Sequence, residues 1–101
     1  MKNCADKVKT IHIITKVWFD KVNGNSYFAQ SITLNKWAKS ELTIFNSFQY
    51  GYSSFRHYAL QRIAEYLGCN RDEIQTKKIF DITLRGCKKA ELSEARFYDN
   101  L

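Results

Sequence analysis

From Thr10 to Asp20 the chain alternates. Ile11, Ile13, Thr15, Val17 and Phe19 share one parity; Thr10, His12, Ile14, Lys16, Trp18 and Asp20 share the other. β-branched residues dominate, so the run over residues 8–20 predicts a strand. Residues 26–35 alternate too, with Phe28, Gln30, Ile32 and Leu34 on the more apolar parity. Between the runs stands Asn23-Gly24, the pair preferred by a two-residue hairpin turn because both central positions take positive φ. A turn centred there sets Phe19 opposite Phe28, Val17 opposite Gln30, Thr15 opposite Ile32 and Ile13 opposite Leu34. The apolar parities of both strands then share one face, and a one-residue slip would separate them.

The alternation breaks over Lys36–Glu41, which reads as a connection, and resumes over residues 42–50 as a third strand. Leu42, Ile44, Phe48 and Tyr50 share a parity interrupted by Asn46; Thr43, Phe45, Ser47 and Gln49 share the other. Gly51 ends this strand. Ser53 or Ser54 supplies an N-cap hydroxyl for a helix over residues 55–67, and Gly68 is a natural residue to close it. Phe55, Ala59, Ile63 and Leu67, with Tyr58 and Tyr66 beside them, form the expected core stripe. Residues 70–76 read as a loop or a short helix, Ile79–Leu84 as a fourth strand, and residues 88–98 as a short helix or another strand. The expected fold is α+β: one domain over residues 1–101, with a single antiparallel sheet in β-β-β-α-β order, an open C-terminal element and one main helix packed on one face.

Composition narrows the class. Apolar residues make up 45% and charged residues 26% of 101, the balance of a globular chain rather than a disordered one. No apolar run is long enough for a membrane span, and Met1–Lys7 lacks the apolar segment of a signal peptide, so a cytoplasmic, soluble protein is expected. Three cysteines, Cys4, Cys69 and Cys87, are widely spaced, so a disulfide framework is not expected and they read as buried or idle thiols. The net charge of +6 is spread along the chain rather than gathered in a tail. It favours polyanionic partners without naming one.

The hairpin register turns these numbers into a surface. If the helix covers the Phe19/Phe28 face, the opposite face carries Lys16 and Trp18 from the first strand, Tyr27 from the second and Phe45 from the third. Rings beside a cation can stack bases and hold phosphates. The same residues also suit a second, smaller core beneath the C-terminal segment, or a homodimer interface. A second candidate is the strand-to-helix junction Tyr50–His57, where Arg56 and His57 sit by free helix amides that can hold an anion. Lys77, Lys78, Arg85, Lys88 and Lys89 are interrupted by Asp81 and read as solvated surface. His12 and His57 are the only histidines, and no spacing couples either to a cysteine or to grouped carboxylates. Neither a catalytic set, a metal site nor a cofactor is therefore expected.

The segments Lys16-Val17-Trp18-Phe19-Asp20-Lys21-Val22-Asn23-Gly24-Asn25-Ser26-Tyr27-Phe28 and Phe48-Gln49-Tyr50-Gly51-Tyr52 resemble small uncharacterised proteins of bacteriophages and prophages. The resemblance covers about half the chain and carries no catalytic motif. It implies a viral protein, of a class that includes inhibitors of host defence such as anti-CRISPR proteins. The expected function is a non-enzymatic phage accessory protein that binds a host protein or nucleoprotein complex. The alternatives are a direct nucleic-acid-binding protein using the basic and aromatic face, and below that a small phosphodiesterase or nucleotide-binding protein.

Overall fold

The two alternating runs pair as an antiparallel hairpin, β1 (Val8–Asp20) with β2 (Asn25–Lys36). A computed structural model describes residues 8–36, 41–51 and 53–99. The connection over 37–40, Cys4 and Tyr52 lie outside the described residues. Thirteen residues at ~3.3 Å each make β1 about 43 Å long, close to the 46 Å long axis of the molecule.

The turn departs from the expected type. Lys21–Gly24 form a four-residue loop, and Asp20 pairs with Asn25. The Asp20 carboxylate accepts from the amides of Val22 (3.0 Å) and Asn23 (3.4 Å) and from Asn23 Nδ2 (2.8 Å). Gly24, at φ 71, closes the loop by donating its N–H to Asp20 O at 2.7 Å. An acidic side chain that satisfies turn amides outcompetes the two-residue turn. The pairing therefore slips by two: Val17, not Phe19, faces Phe28, and Phe19 faces Ser26. A slip of two keeps every side chain on its face. It nevertheless carries Phe19 past the helix, leaving it 51% exposed rather than in the core.

β3 (Glu41–Tyr50) joins β2 antiparallel, and α1 (Phe55–Leu67) and α2 (Arg71–Gln75) lead to β4 (Lys78–Leu84). The sheet order is β3-β2-β1-β4, and β4 runs parallel to β1. The sheet is thus mixed rather than antiparallel throughout. The helical crossover explains this: α1 carries the chain back to the end where β3 began, so the next strand runs in the same direction.

The larger core lies between sheet and helix. Ile11, Ile13, Ile32, Leu34 and Ile44 pack against Ala59, Leu60 and Ile63 of α1 and Ile74 of α2. Leu60 and Ala64 fill places expected for Tyr66, which is 52% exposed. Ser54 precedes α1 in the left-handed region, at φ 60, and makes no side-chain cap, contrary to the expected hydroxyl capping. Gly68 closes the helix as expected, donating to Ala64 O at 2.8 Å. A polar chain crosses this layer. Gln30 Nε2 donates to Phe55 O (2.7 Å) and Thr15 Oγ1 (3.1 Å), and Asn46 Nδ2 donates to Gln30 Oε1 (2.8 Å). Gln30 and Asn46 interrupt apolar parities because they pin the start of α1 to the sheet.

The last stretch crosses to the opposite face. Cys87 N–H bonds Val17 O at 3.0 Å, and a 3-10 turn (Lys89–Leu92) and α3 (Glu94–Phe97) follow. Leu92 and Phe97 are buried there against Ala29, with Ile14, Trp18, Tyr27 and Phe45 packed around them.

Candidate functional site

The expected open face is thus half covered. Lys16, offered by its parity as a contact residue, is 1% exposed. Its Nζ donates to Phe97 O (2.6 Å) and Asp99 O (3.3 Å), lies 3.5 Å from Glu91 Oε1 and sits 5.1 Å from the centre of the Phe97 ring. These acceptors replace water for a buried ammonium and tie down the C-terminal segment. Phe45 meets Phe97 edge-on, with centroids 5.4 Å apart. With that segment in place, neither Lys16 nor most of Phe45 reaches solvent.

An aromatic surface survives nearer the hairpin loop. Trp18 pairs with Tyr27, and Tyr27 with Tyr50. Trp18 stacks on Tyr27 (5.5 Å, 24°), and Tyr27 stacks on Phe48 (5.0 Å, 17°). Tyr50 meets Tyr27 edge-on at 5.6 Å. Phe48 is 42% and Tyr50 62% exposed.

Phe48 and Tyr50 were expected on the face of Leu42 and Ile44. A β-bulge moves them. The register steps from Gln30–Asn46 to Phe28–Gln49, so Ser47 and Phe48 together oppose Ala29. The extra residue reverses parity for the remainder of β3. Gly51 follows at the point of closest approach, where a Cβ would lie 2.9 Å from the Phe28 ring. No alternation in the sequence marks this reversal; the local sign is the adjacent polar pair Asn46-Ser47, where the strand's alternation is interrupted.

Cations flank the rings. Lys89 Nζ stands 5.6 Å over the Trp18 ring. Phe48, Lys89, Ala90, Leu92, Ser93 and Arg96 line a cavity of 680 Å³, open to solvent, beside the stack. Arg96 forms an exposed pair with Asp99 at 3.3 Å, leaving most of its guanidinium accessible. The site therefore has apolar walls, ring faces and two positive charges, a set chemically suited to an aromatic or anionic ligand.

Arg56 and His57, the second predicted site, lie on α1 across the sheet from Trp18 and are not brought together with it. Arg56 Nε donates to Asp81 Oδ2 at 2.7 Å, and Arg71 Nη1 contacts His57 Nδ1 at 2.7 Å. His12 lies on the other face, stacked on Phe80 with centroids 4.9 Å apart. Burial raises the pKa of the Cys87 thiol, with nearby Glu91 adding to the effect, so it stays protonated and weakly nucleophilic at neutral pH.

Comparison with protein-family models, curated proteins and solved structures found no match. Among the described residues no helix is long and apolar enough to cross a membrane.

Proposed function

We propose that this chain is a non-enzymatic binding protein whose ligand is single-stranded nucleic acid, free or displayed within a nucleoprotein complex. The observation that carries the reading is the exposed end of the ring stack, Phe48 and Tyr50, beside Lys89 and Arg96. Every base has a π-face, so stacking on such rings contributes ~1–3 kcal/mol per base whatever the sequence. The two cations lie where a backbone phosphate could neutralise them, and the net charge of +6 adds a long-range attraction. In the phage setting implied by the resemblance, the strand so held would belong to a host defence complex.

Fluorescence anisotropy with a short labelled oligonucleotide tests this. Binding should weaken as salt rises, and Tyr50→Ala or Phe48→Ala should each weaken it by about 5- to 150-fold, the equivalent of one stacked base. Lys89→Ala combined with Arg96→Ala should flatten the log–log salt dependence by about 1.4, two phosphate contacts' worth. The oligonucleotide should be recovered intact. No binding at low salt would overturn the proposal.

A host protein is the second reading, favoured by the apolar wall of Phe48, Ala90 and Leu92 in the cavity. It is distinguished by capture that persists at high salt and is lost in Tyr50→Ala.

A further inference from the structure

β4 is an edge strand, so the row of backbone N–H and C=O groups along its outer side has no partner within the sheet. Phe80, Ile82 and Leu84 project from one face of it and are 44%, 57% and 36% exposed. After Leu84 the chain turns toward Val17, as the Cys87–Val17 hydrogen bond shows, and among the described residues no strand pairs with the outer side of β4. The other edge, β3, carries the bulge and begins at Glu41, both features that discourage strand addition. β4 pairs with β1 without a register shift, and the chain contains no proline. An uncovered, regular, apolar edge is a template for another strand.

We propose that the β4 edge joins a second copy of this chain, antiparallel about a two-fold axis at Ile82. The strand is self-complementary in that register. Phe80 would lie opposite Leu84 of the second copy, and Ile82 opposite its own equivalent, so the three apolar side chains of each copy cover one another. Asp81, which keeps Arg56 as its partner, would lie opposite Thr83 of the second copy and diagonal to its Arg85, which stands over the Phe55 ring, so no like charges oppose one another in this register. Centring the axis on Asp81 instead would oppose two carboxylates and set Lys78 against Leu84. The two four-stranded sheets would then become one continuous sheet, joined by an interface in which each copy uses the same residues.

The test is mass in solution over a concentration series, by light scattering or sedimentation. The wild-type chain should approach twice its 11.9 kDa monomer mass as concentration rises. Ile82→Lys would face its own ammonium across the axis and should be monomeric with an unchanged circular dichroism spectrum. In a background with Cys4→Ser, Cys69→Ser and Cys87→Ser, Ile82→Cys should form an intermolecular disulfide under mild oxidation, whereas Asp81→Cys should not. The cysteine pair decides the matter if Ile82→Lys fails to fold. A wild-type chain monomeric throughout, a dimer that survives Ile82→Lys, or cross-linking at Asp81→Cys rather than at Ile82→Cys would overturn the proposal.

Discussion

Lys16 shows how far a single side chain can differ from its sequence context. An exposed lysine on a half-wet strand is ordinary, but here the ammonium is buried under Phe97 with two backbone carbonyls and Glu91 around it. Removing one member of a buried charged cluster leaves the others desolvated and unpaired. Lys16→Ala should lower stability by about 3 kcal/mol, from lost hydrogen bonds and the cavity left beneath Phe97. Lys16→Met should cost less, because its chain keeps the packing while giving up the charge and its hydrogen bonds. Urea denaturation of both variants checks this. If Lys16→Ala is no worse than Lys16→Met, the packing of the lysine stem beneath Phe97 contributes little and the cost lies in the lost charge and its hydrogen bonds.

At the scale of elements, the 3-10 turn and α3 form a cover held by few groups. Glu91 helps hold it from the inside: its carboxylate accepts from the Lys88 amide at 2.8 Å and lies near Lys16. That hydrogen bond, with a smaller contribution from the Lys16 charge, holds its pKa below the usual carboxylate range. Asp20 is lowered in the same way, chiefly by the Asn23 side chain and then by the turn amides. A group whose folded pKa lies below its unfolded value stabilises the fold fully above the unfolded pKa and loses that contribution as pH falls through the folded one. Acidification below the ordinary carboxylate range should therefore loosen the cover first at Glu91. Trp18 fluorescence should report it, since Lys89 stands over that ring. Glu91→Gln should start from the loosened signal at neutral pH and respond less to acid.

Across the whole molecule the two faces are unequal. Sheet, α1 and α2 share a continuous core, whereas the opposite face rests on Ala29, Leu92 and Phe97. Regions with fewer buried apolar contacts open at lower free energy. Ile63→Ala should cost about 3 kcal/mol and raise hydrogen exchange throughout the sheet. Leu92→Ala should instead raise exchange chiefly over residues 89–99, leaving β1 and β2 protected. Equal effects across both regions would mean that the C-terminal segment is part of the same cooperative unit. The distinction bears on binding, because the cover forms one wall of the cavity beside Phe48.

The sequence by itself determined the elements of the larger face: two alternating strands, a third strand, a helix closed by Gly68 and a fourth strand. Each follows from local periodicity and turn chemistry, which neighbouring residues specify among themselves. It also determined which residues of β1 and β2 share a face, because parity survives the two-residue slip that Asp20 imposes on the turn. Tertiary structure decided the rest. The direction of β4 depends on where the crossover delivers the chain. The bulge in β3 depends on its pairing with β2, and it carries Phe48 and Tyr50 to the surface where the candidate site forms. The burial of Lys16 depends on a segment 75 or more positions away folding back across β1. Sequence spacing does not record such long-range contacts, so alternation could point to the face of Trp18 and Tyr27 but not to which of its residues remain uncovered.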